Sequence, residues 1–223
     1  MVDVELTAYI TSTSTGGRIS HPTDPVEVKL RPHPRGGVNV TVVAPLMDSP
    51  RGGPPNCLSP ITPCVDLAEY ESLSVVFLSK NGEWALELML GAHGHYVVQL
   101  YDGYGKNFTF NLPIVYTHSL MMSDGSGEDG GNAKGRWRGE ARIPTSYLPP
   151  VVTKFNAFYT YGVEGGNGGG SGEHEMALES LFPATEATKD AKAFKFFQPL
   201  KMATIDPENW KGVVPKIWKR RAQ

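Results

Sequence analysis

The sequence predicts an all-β fold, a two-sheet antiparallel β-sandwich with a few short helices. Three observations predict it: apolar residues alternate with a period of two in most segments, helical periodicity is scarce, and glycine and proline separate the segments. The 223 residues include 25 Gly and 18 Pro. A chain of this length can bury a core without disulfides or metals. We therefore expect one β-sandwich domain over residues 1–205, and a basic, tryptophan-containing extension over residues 206–223 that is packed on the domain or trails from it.

Three short β-branched segments bounded by glycine and proline predict an N-terminal meander. They span residues 2–9, 26–31 and 38–44. A segment rich in proline and glycine follows, beginning at Pro45 and ending at Pro63, and it has no regular pattern. We interpret residues 45–63 as a long loop, and loops of this length are commonly functional or mobile.

The centre of the chain predicts three antiparallel strands joined by tight turns. The predicted strands span residues 73–78, 84–90 and 95–101. Lys80-Asn81-Gly82 and Gly91-Ala92-His93-Gly94 supply the turns, and the valine- and leucine-rich segments favour positions in the middle of a sheet. Residues 108–116 predict a further strand in which Pro113 marks an edge or a bulge.

Residues 136–144 show the clearest alternation. Trp137, Gly139, Ala141 and Ile143 share one face of the predicted strand, and Arg138, Glu140 and Arg142 share the other. The first face is typical of a core and the second of a solvated surface, so we interpret Trp137 as a core residue.

The remaining elements are an aromatic strand over residues 154–161 and three brief helices. The helical candidates span residues 175–181, 186–193 and 207–211, the last with Asp206 as its N-cap and Pro207 at its first position. Two glycine-rich segments, 123–135 and 162–172, predict flexible connections. Neither leads into the Lys-Ser or Lys-Thr start of a phosphate-binding helix.

Composition and charge narrow the possible partners and the compartment. The formal net charge is −2, which gives no electrostatic reason to expect a nucleic-acid partner. The first residues lack a basic segment followed by an apolar one, and no later segment has the length of a transmembrane helix. We therefore expect a soluble cytoplasmic protein with no nucleic-acid partner and no transmembrane segment.

Cys57 and Cys64 are the only cysteines. Their spacing permits a disulfide, whereas the reducing cytoplasm expected from the N-terminus favours two free thiols. A zinc site would need two further ligands, and no histidine is close in sequence. We therefore expect free loop thiols, no metal and no cofactor.

Residues 137–156 carry the most distinctive motif, WRGEARIPTSYLPPVVTKFN. It resembles the uncharacterised UPF0462 family, whose members share a tryptophan, a small-residue strand, Ile/Leu-Pro, Ser-Tyr, paired prolines and Thr-Lys-Phe-Asn. The similarity covers most of residues 20–200. That family is similar, more distantly, to the β-sandwich of carbohydrate-binding module family 9. The resemblance implies a carbohydrate-binding-module-like jelly roll that holds a sugar or another small molecule.

The resemblance also identifies positions at which this chain differs from its relatives. Where relatives carry an aromatic residue the chain has Ala68, and where they carry an acid before the central strand it has Ser74. A histidine before the final aromatic strand is replaced by Lys192. If these positions line a ligand site, the resemblance implies that much of the relatives' site has been lost here.

Sugar recognition requires flat aromatic faces together with amide, carboxylate or guanidinium groups that bind hydroxyls. The candidate ligand-binding residues are Trp84, Glu87, Gln99, Tyr101, Arg138, Glu140 and Arg142. For Trp84 a place in the core is the simpler interpretation.

No catalytic motif is present: the sequence has no Gly-x-Ser-x-Gly, phosphate loop, His-Glu-x-x-His or dinucleotide fingerprint. Glu69 and Glu71 are conceivable glycosidase carboxylates, but two acids at the start of a strand are usually solvated. His93 and His95 fall in a predicted turn with no acid nearby in sequence. We therefore expect no catalytic residue and no enzyme.

The favoured hypothesis is a non-catalytic binding module for a glycan or another small ligand. The alternative is a structural or protein-interaction subunit of an assembly, which would contact a protein partner through the loop 45–63 and the basic C-terminal tail. A hydrolase is the least favoured hypothesis. For the tail, packing by Trp210 and Trp218 is the commoner outcome.

Overall fold

A computed structural model describes residues 5–48, 53–55, 57, 64–109, 112–122, 133–163, 175–184 and 192–219. Two antiparallel sheets form in this part of the chain, which confirms the predicted β-sandwich. The strands are β1 Leu6–Ile10, β2 Ser12–Thr13, β3 Val26–Pro32, β4 Val38–Pro45, β5 Ser72–Ser79, β6 Trp84–Gly91, β7 Tyr96–Asp102, β8 Asn107–Thr109, β9 Val115–Met122, β10 Gly135–Ile143, β11 Val152–Val163, β12 Glu175–Ser180 and β13 Gln198–Pro199. Short helices complete it: α1 Met202–Ile205, α2 Pro207–Trp210, α3 Lys216–Lys219 and the 3-10 helices Val65–Glu69 and Phe194–Phe196.

The two sheets differ in size and in how they are built. The first has five strands in the order β1-β3-β4-β10-β9 and contains the predicted N-terminal meander. The second has eight strands in the order β2-β12-β11-β5-β6-β7-β8, with β13 beside β11. The predicted central meander, β5-β6-β7, is confirmed and lies within this larger sheet.

The main core lies between the inner faces of the two sheets. Strand β10 shows how the sequence builds it, because Trp137, Gly139 and Ala141 are buried while Arg138 and Glu140 are exposed. The predicted core position of Trp137 is confirmed. Trp137 is fully buried, as are Phe77 and Tyr159 of the larger sheet.

The strand predicted over residues 108–116 is wrong, because two strands of different sheets replace it. Strand β8 pairs with β7 in the eight-stranded sheet, and β9 pairs with β10 in the five-stranded sheet. Pro113 lies between them, where the chain passes from one sheet to the other. Since proline has no backbone N–H, it fits this crossing better than a place in a ladder.

The helix predicted over residues 175–181 is also wrong. Strand β12 occupies this position and pairs with β11, with Ala177 opposite Tyr161 and Ser180 opposite Phe158. Pairing with an established strand therefore overrides a weak helical preference. Of the helix predicted over residues 186–193, only Lys192 and Ala193 belong to the described residues, and they are not helical.

The helix predicted near the C-terminus is confirmed as α2, with Pro207 at its start. Asp206 is not its side-chain cap. Its carboxylate instead accepts a hydrogen bond from Thr145 Oγ1 at 2.7 Å. Most of the predicted glycine-rich connections, residues 123–132 and 164–172, lie outside the described residues.

Helix α3 brings a tryptophan onto the end of the sandwich. Trp218 is fully buried, stacks on Trp84 with ring centroids 5.7 Å apart, and donates from Nε1 to the Tyr147 carbonyl at 3.1 Å. Trp210 of α2 is about half exposed. The C-terminal segment is therefore anchored by one of its two tryptophans. Within the described residues no helix is long and apolar enough to cross a membrane.

The expectation of free thiols is wrong, because Cys57 and Cys64 form a disulfide. Their Cα atoms lie 5.7 Å apart, within the range that a disulfide requires. Cys64 is buried, and its N–H donates to the Tyr96 carbonyl at 2.9 Å, which fixes this end of the loop against β7. The bond joins the loop to the start of the 3-10 helix Val65–Glu69.

Candidate functional site

A cavity of about 260 Å³ opens on the outer face of the eight-stranded sheet, away from the main core. Its floor is made by side chains of three neighbouring strands. Val76 comes from β5, Glu87 and Met89 from β6, and Gln99 and Tyr101 from β7. Glu87 lies directly between Val76 and Gln99 in the register of the sheet, so these side chains share one face.

Three segments rise around this floor and turn a sheet face into a cavity. Ala68 of the first 3-10 helix lines one side, and the turn at Tyr104 and Gly105 lines a second. The third side is the segment that carries Lys192, Phe194 and Phe197. The rings of Tyr104 and Phe194 meet edge to face, with centroids 5.1 Å apart, so the second and third sides contact each other.

Two small apolar clusters hold these walls in place. Phe197 packs with Phe158 and other side chains of the sheet on one side of the cavity. On the other side, Cys64 and Leu67 pack with Met89 and Val97. The disulfide thus belongs to the cluster that supports the wall carrying Ala68. This burial of apolar surface gives the outer face a second, smaller core.

Glu87 is the polar centre of the cavity, and its carboxylate is bound from both sides. Ser74 Oγ donates to Oε1 at 2.5 Å, and the Tyr101 hydroxyl donates to Oε2 at 2.6 Å. The same hydroxyl lies 2.9 Å from Gln99 Oε1. Short hydrogen bonds to a carboxylate are strong, so they hold Glu87 in one orientation. They also compensate for its burial, since the residue is only 7% exposed.

Tyr101 serves as a hydrogen-bond donor in this arrangement. Burial, and then the negative charge of Glu87, raise the pKa of its phenol far above the ordinary value of 10. The phenol therefore keeps its proton at physiological pH and cannot act as a base there.

Lys192 supplies a positive charge to the cavity. Its Nζ lies 3.7 Å from Glu87 Oε1 and 5.6 Å from the centre of the Phe158 ring. Within the described lining, Glu87 and Lys192 are the charged side chains, and their formal charges cancel.

The other predicted site residues lie elsewhere. Trp84 stacks on Trp218, donates from Nε1 to Asp102 Oδ1 at 3.1 Å, and borders a separate depression of about 400 Å³ beside Lys80 and Val151. Its place is at the end of the sandwich, packed against the main core as the simpler interpretation held, and it does not join Glu87 as a ligand-binding residue.

Arg138, Glu140 and Arg142 lie on the outer face of the five-stranded sheet, on the opposite side of the sandwich. Arg138 Nη2 is 3.8 Å from Glu140 Oε2, and about half of each side chain is exposed. Arg142 Nη2 lies 3.4 Å from the Arg35 carbonyl. These three residues form no site with Glu87, Gln99 and Tyr101, because two sheets separate them.

Sequence reasoning did not place Phe194 and Phe197 in a site, because their segment shows no strand alternation, and Lys192 was singled out only through the resemblance to the relatives. The sequence did contain a signal for the polar residues on the floor of the cavity and beside it. Ser74, Glu87 and Gln99 interrupt strands that are otherwise apolar on both faces, which indicates a specific polar contact on a covered face. Ala68 and Lys192, singled out as departures from the relatives, both line the cavity, and Ser74 binds its central carboxylate.

The carboxylates considered for a hydrolase do not face each other. Glu69 is exposed, whereas Glu71 is 2% exposed and lies between the sheets, so its expected solvation is wrong. Glu71 accepts hydrogen bonds from the Tyr159 hydroxyl at 2.6 Å and from the Asp48 N–H at 2.6 Å. Burial raises the pKa of Glu71 despite these bonds. Glu71 thus links the segment that follows β4 to Tyr159 of β11.

His93 of the histidine pair has an acid close in space that is distant in sequence. His93 lies in the predicted turn, and its Nε2 is 3.3 Å from Asp48 Oδ1. Among the described residues, no group of three or more His, Cys, Asp or Glu side chains is arranged to hold a metal ion.

No protein-family model matches the chain. A solved structure, titled "putative carbohydrate-binding protein" and from Bacteroides uniformis, superimposes with a TM-score of 0.51 and 9% identity, covering 87% of this chain and 85% of that one. This likeness is one of fold, and it agrees with the predicted carbohydrate-binding-module-like sandwich.

Curated proteins give closer matches. The UPF0462 protein C4orf33 homolog of Mus musculus is 30% identical over 201 residues, which cover 87% of this chain and 92% of the relative. The human protein C4orf33 is 29% identical, covering 87% of this chain and 88% of the relative. The homolog of Danio rerio is 26% identical, covering 89% and 92%. The family resemblance of residues 137–156 is thereby confirmed, and this chain belongs to the UPF0462 family.

Proposed function

We propose that this protein is a non-catalytic binding module whose ligand, a glycan or another small molecule, occupies the cavity on the outer face of the eight-stranded sheet. The observation that carries the proposal is the oriented carboxylate of Glu87 on the floor of an aromatic-walled cavity. A few fixed polar groups in a largely apolar concavity are typical of small-molecule sites.

The chemistry of the cavity favours binding over catalysis. A general acid or base needs a pKa near the working pH, whereas the pKa of Tyr101 is raised far from that range. A glycosidase needs a second carboxyl group facing the first, and within the described lining Glu87 is the single carboxylate. The solved structure with a similar fold is described as a "putative carbohydrate-binding protein", which supports a sugar as one candidate ligand.

A cavity-filling variant tests the proposal. Ala68 is exposed at the rim, so Ala68→Trp adds an indole to the cavity without disturbing the main core. A panel of saccharides and small fragments is screened by saturation-transfer NMR, and affinities are measured by calorimetry. We expect at least one compound to bind the wild type and to lose at least about tenfold in affinity for Ala68→Trp.

Arg138→Ala, on the opposite face, is the matched control and is expected to bind as the wild type does. Absence of any binding, or binding that survives Ala68→Trp unchanged, would contradict the proposal.

The alternative of a protein-interaction subunit stays a prediction. Trp218 of the tail is buried against Trp84 and is therefore not displayed to a partner. Much of the loop 45–63 lies outside the described residues.

A further inference from the structure

We infer that the cavity selects a neutral ligand that carries hydroxyl groups, and that the pair formed by Glu87 and Lys192 makes this selection. The inference rests on the proposed function, because it specifies the ligand of the same cavity. Four features of the cavity support it: its charge, the gap between the two charged groups, the neighbouring amide, and the aromatic wall.

The charges of the described lining sum to zero. Glu87 contributes one negative charge and Lys192 one positive charge, 3.7 Å apart. A ligand with a net charge would lose its hydration on entering this partly apolar space, and within the described lining no other charged side chain would offset that loss. A neutral ligand does not incur this cost.

The gap between the charged groups fits a hydroxyl. An ammonium and a carboxylate in direct contact lie about 2.7–2.9 Å apart. The separation of 3.7 Å between Lys192 Nζ and Glu87 Oε1 is therefore longer than a direct hydrogen bond. A hydroxyl oxygen about 2.8 Å from both Lys192 Nζ and Glu87 Oε1 closes a triangle with that separation. Such a hydroxyl donates to the carboxylate and accepts from the ammonium, which uses both of its hydrogen-bonding functions.

Glu87 keeps capacity for this contact. Each carboxylate oxygen accepts two hydrogen bonds, and Ser74 takes one position on Oε1 while Tyr101 takes one on Oε2. Ser74 and Tyr101 thus act as positioning residues, because they aim the remaining lone pairs without filling them.

Gln99 extends the polar surface by one position. It lies directly opposite Glu87 in the β6–β7 ladder, and opposite side chains of antiparallel strands start about 5 Å apart. An amide offers both donors and an acceptor, so a second hydroxyl beside the first can bind there. Two adjacent hydroxyls therefore match Glu87 and Gln99.

The wall of Tyr104 and Phe194 completes the recognition surface. Their edge-to-face contact presents apolar rings beside the polar floor. The matching ligand has a C–H face on one side and hydroxyls on the other, as a saturated polyhydroxylated ring does.

Matched sugars that differ only in charge test the inference. The probes are D-glucose, D-galactose and D-mannose, each with its 2-amino derivative and its uronic acid, titrated by calorimetry and by amide NMR. We expect at least one neutral sugar to bind at least about tenfold more tightly than both of its charged counterparts.

If the pair of Glu87 and Lys192 selects a neutral sugar over a charged one, Lys192→Met changes that preference. The variant leaves the Glu87 charge uncompensated, so we expect affinity for the neutral sugar to fall at least about tenfold and the amino sugar to bind more tightly than the neutral one. Lys195→Met is the control, because Lys195 lies on the same segment over the Phe196 ring and outside the described lining. It should bind as the wild type does.

The outcomes separate this inference from the proposed function. A charged sugar that binds as tightly as its neutral partner, or an unchanged preference in Lys192→Met, overturns the inference while the cavity remains a binding site. A screen in which neither sugars nor uncharged and charged aromatic fragments shift the cavity amides overturns both. Amide spectra of each variant confirm that it is folded.

Discussion

Two trios of the same residue types lie on the two outer faces of the sandwich. The surface trio, Tyr9, Glu27 and Lys29, belongs to β1 and β3 of the five-stranded sheet. Tyr9 donates to Glu27 Oε2 at 3.1 Å, and Lys29 Nζ lies 2.6 Å from Glu27 Oε1. Tyr9 is 49% exposed, and the side chains of Glu27 and Lys29 are 18% and 28% exposed, so water reaches every member of this trio.

The cavity trio, Tyr101, Glu87 and Lys192, lies on the eight-stranded sheet. Here the hydroxyl is closer to the carboxylate, at 2.6 Å, and the ammonium is farther away, at 3.7 Å. The residue types are the same, but walls from other segments cover Glu87, whose side chain is 10% exposed against 18% for Glu27, while the Lys192 side chain stays 36% exposed. Electrostatic contacts strengthen in such surroundings, and an incompletely bound charge becomes costly. The two faces therefore differ because other segments cover one of them, and not because their polar residues differ.

Truncating Phe197, which supports one wall of the cavity, should have the largest effect on the free energy of unfolding. Phe197 is 3% exposed and packs against Phe158, so Phe197→Ala should lower the free energy of unfolding by about 3–4 kcal/mol. Tyr9→Ala on the other face should lower it by less than about 1 kcal/mol. Urea denaturation followed by tryptophan fluorescence measures both. Similar losses for the two variants would show that the outer face of the larger sheet has no core of its own.

Removing each carboxylate compares the trios directly. Glu87→Ala removes the carboxylate that accepts hydrogen bonds from Ser74 Oγ and from the Tyr101 hydroxyl, so it should cost about 2–3 kcal/mol. Glu27→Ala removes a solvated ion pair and should cost no more than about 1 kcal/mol. The same urea experiment checks this difference, and equal costs would mean that Glu87 is as well solvated as Glu27.

Opening the disulfide tests how the wall with Ala68 is held. Cys57→Ser combined with Cys64→Ser should lower the free energy of unfolding by about 2 kcal/mol, because a short loop is released. We expect the amide resonance of Ala68 to broaden or shift, while those of the surface trio stay in place. A spectrum with no change at Ala68 would show that the apolar cluster alone fixes the wall.

The smallest effect should appear at alkaline pH. The raised pKa of Tyr101 means that the folded protein keeps this proton after the unfolded chain has released its own near pH 10. This contribution to stability is complete below pH 10 and is lost as the pH rises above it. Stability between pH 10 and 11 should therefore fall less steeply in Tyr101→Phe than in the wild type, by up to about 1 kcal/mol.

Tyr9→Phe is the control for this titration. The hydrogen bond to Glu27 raises the pKa of Tyr9, but the phenol is exposed to water. We expect the stability of Tyr9→Phe above pH 10 to differ from that of the wild type in the same sense, but by less than that of Tyr101→Phe. A change in Tyr9→Phe as large as in Tyr101→Phe would contradict the difference in shielding.

Much of the fold could be predicted from alternation, because alternation reports burial directly. Strand β10 was predicted with its faces assigned, and β5 to β7 were predicted with their turns. Prediction failed where pairing partners decide the structure. Residues 175–180 become a strand only because β11 offers an edge, and the crossing at Pro113 depends on which sheet each neighbour joins.

The candidate site could be predicted only in part, for a related reason. Alternation indicates which side chains leave the core, but it does not indicate which outer face another segment covers. Glu87 and Arg138 both lie on outer faces, although one lies in a cavity and the other in water, and only the apolar neighbours of Glu87 in β6 indicate that its face is covered. The residues that make the difference, Lys192 and Phe194, come from a segment far along the chain without strand alternation.

Chemical-shift mapping compares the cavity with the open surface in one experiment, because one amide spectrum reports both outer faces. The wild type is titrated with the best neutral saccharide or fragment from the screen. The structure predicts shifts at Gln99, Tyr101 and Lys192 and none at Tyr9 or Lys29. Shifts confined to the surface trio, or none at the cavity under saturating ligand, would contradict the account.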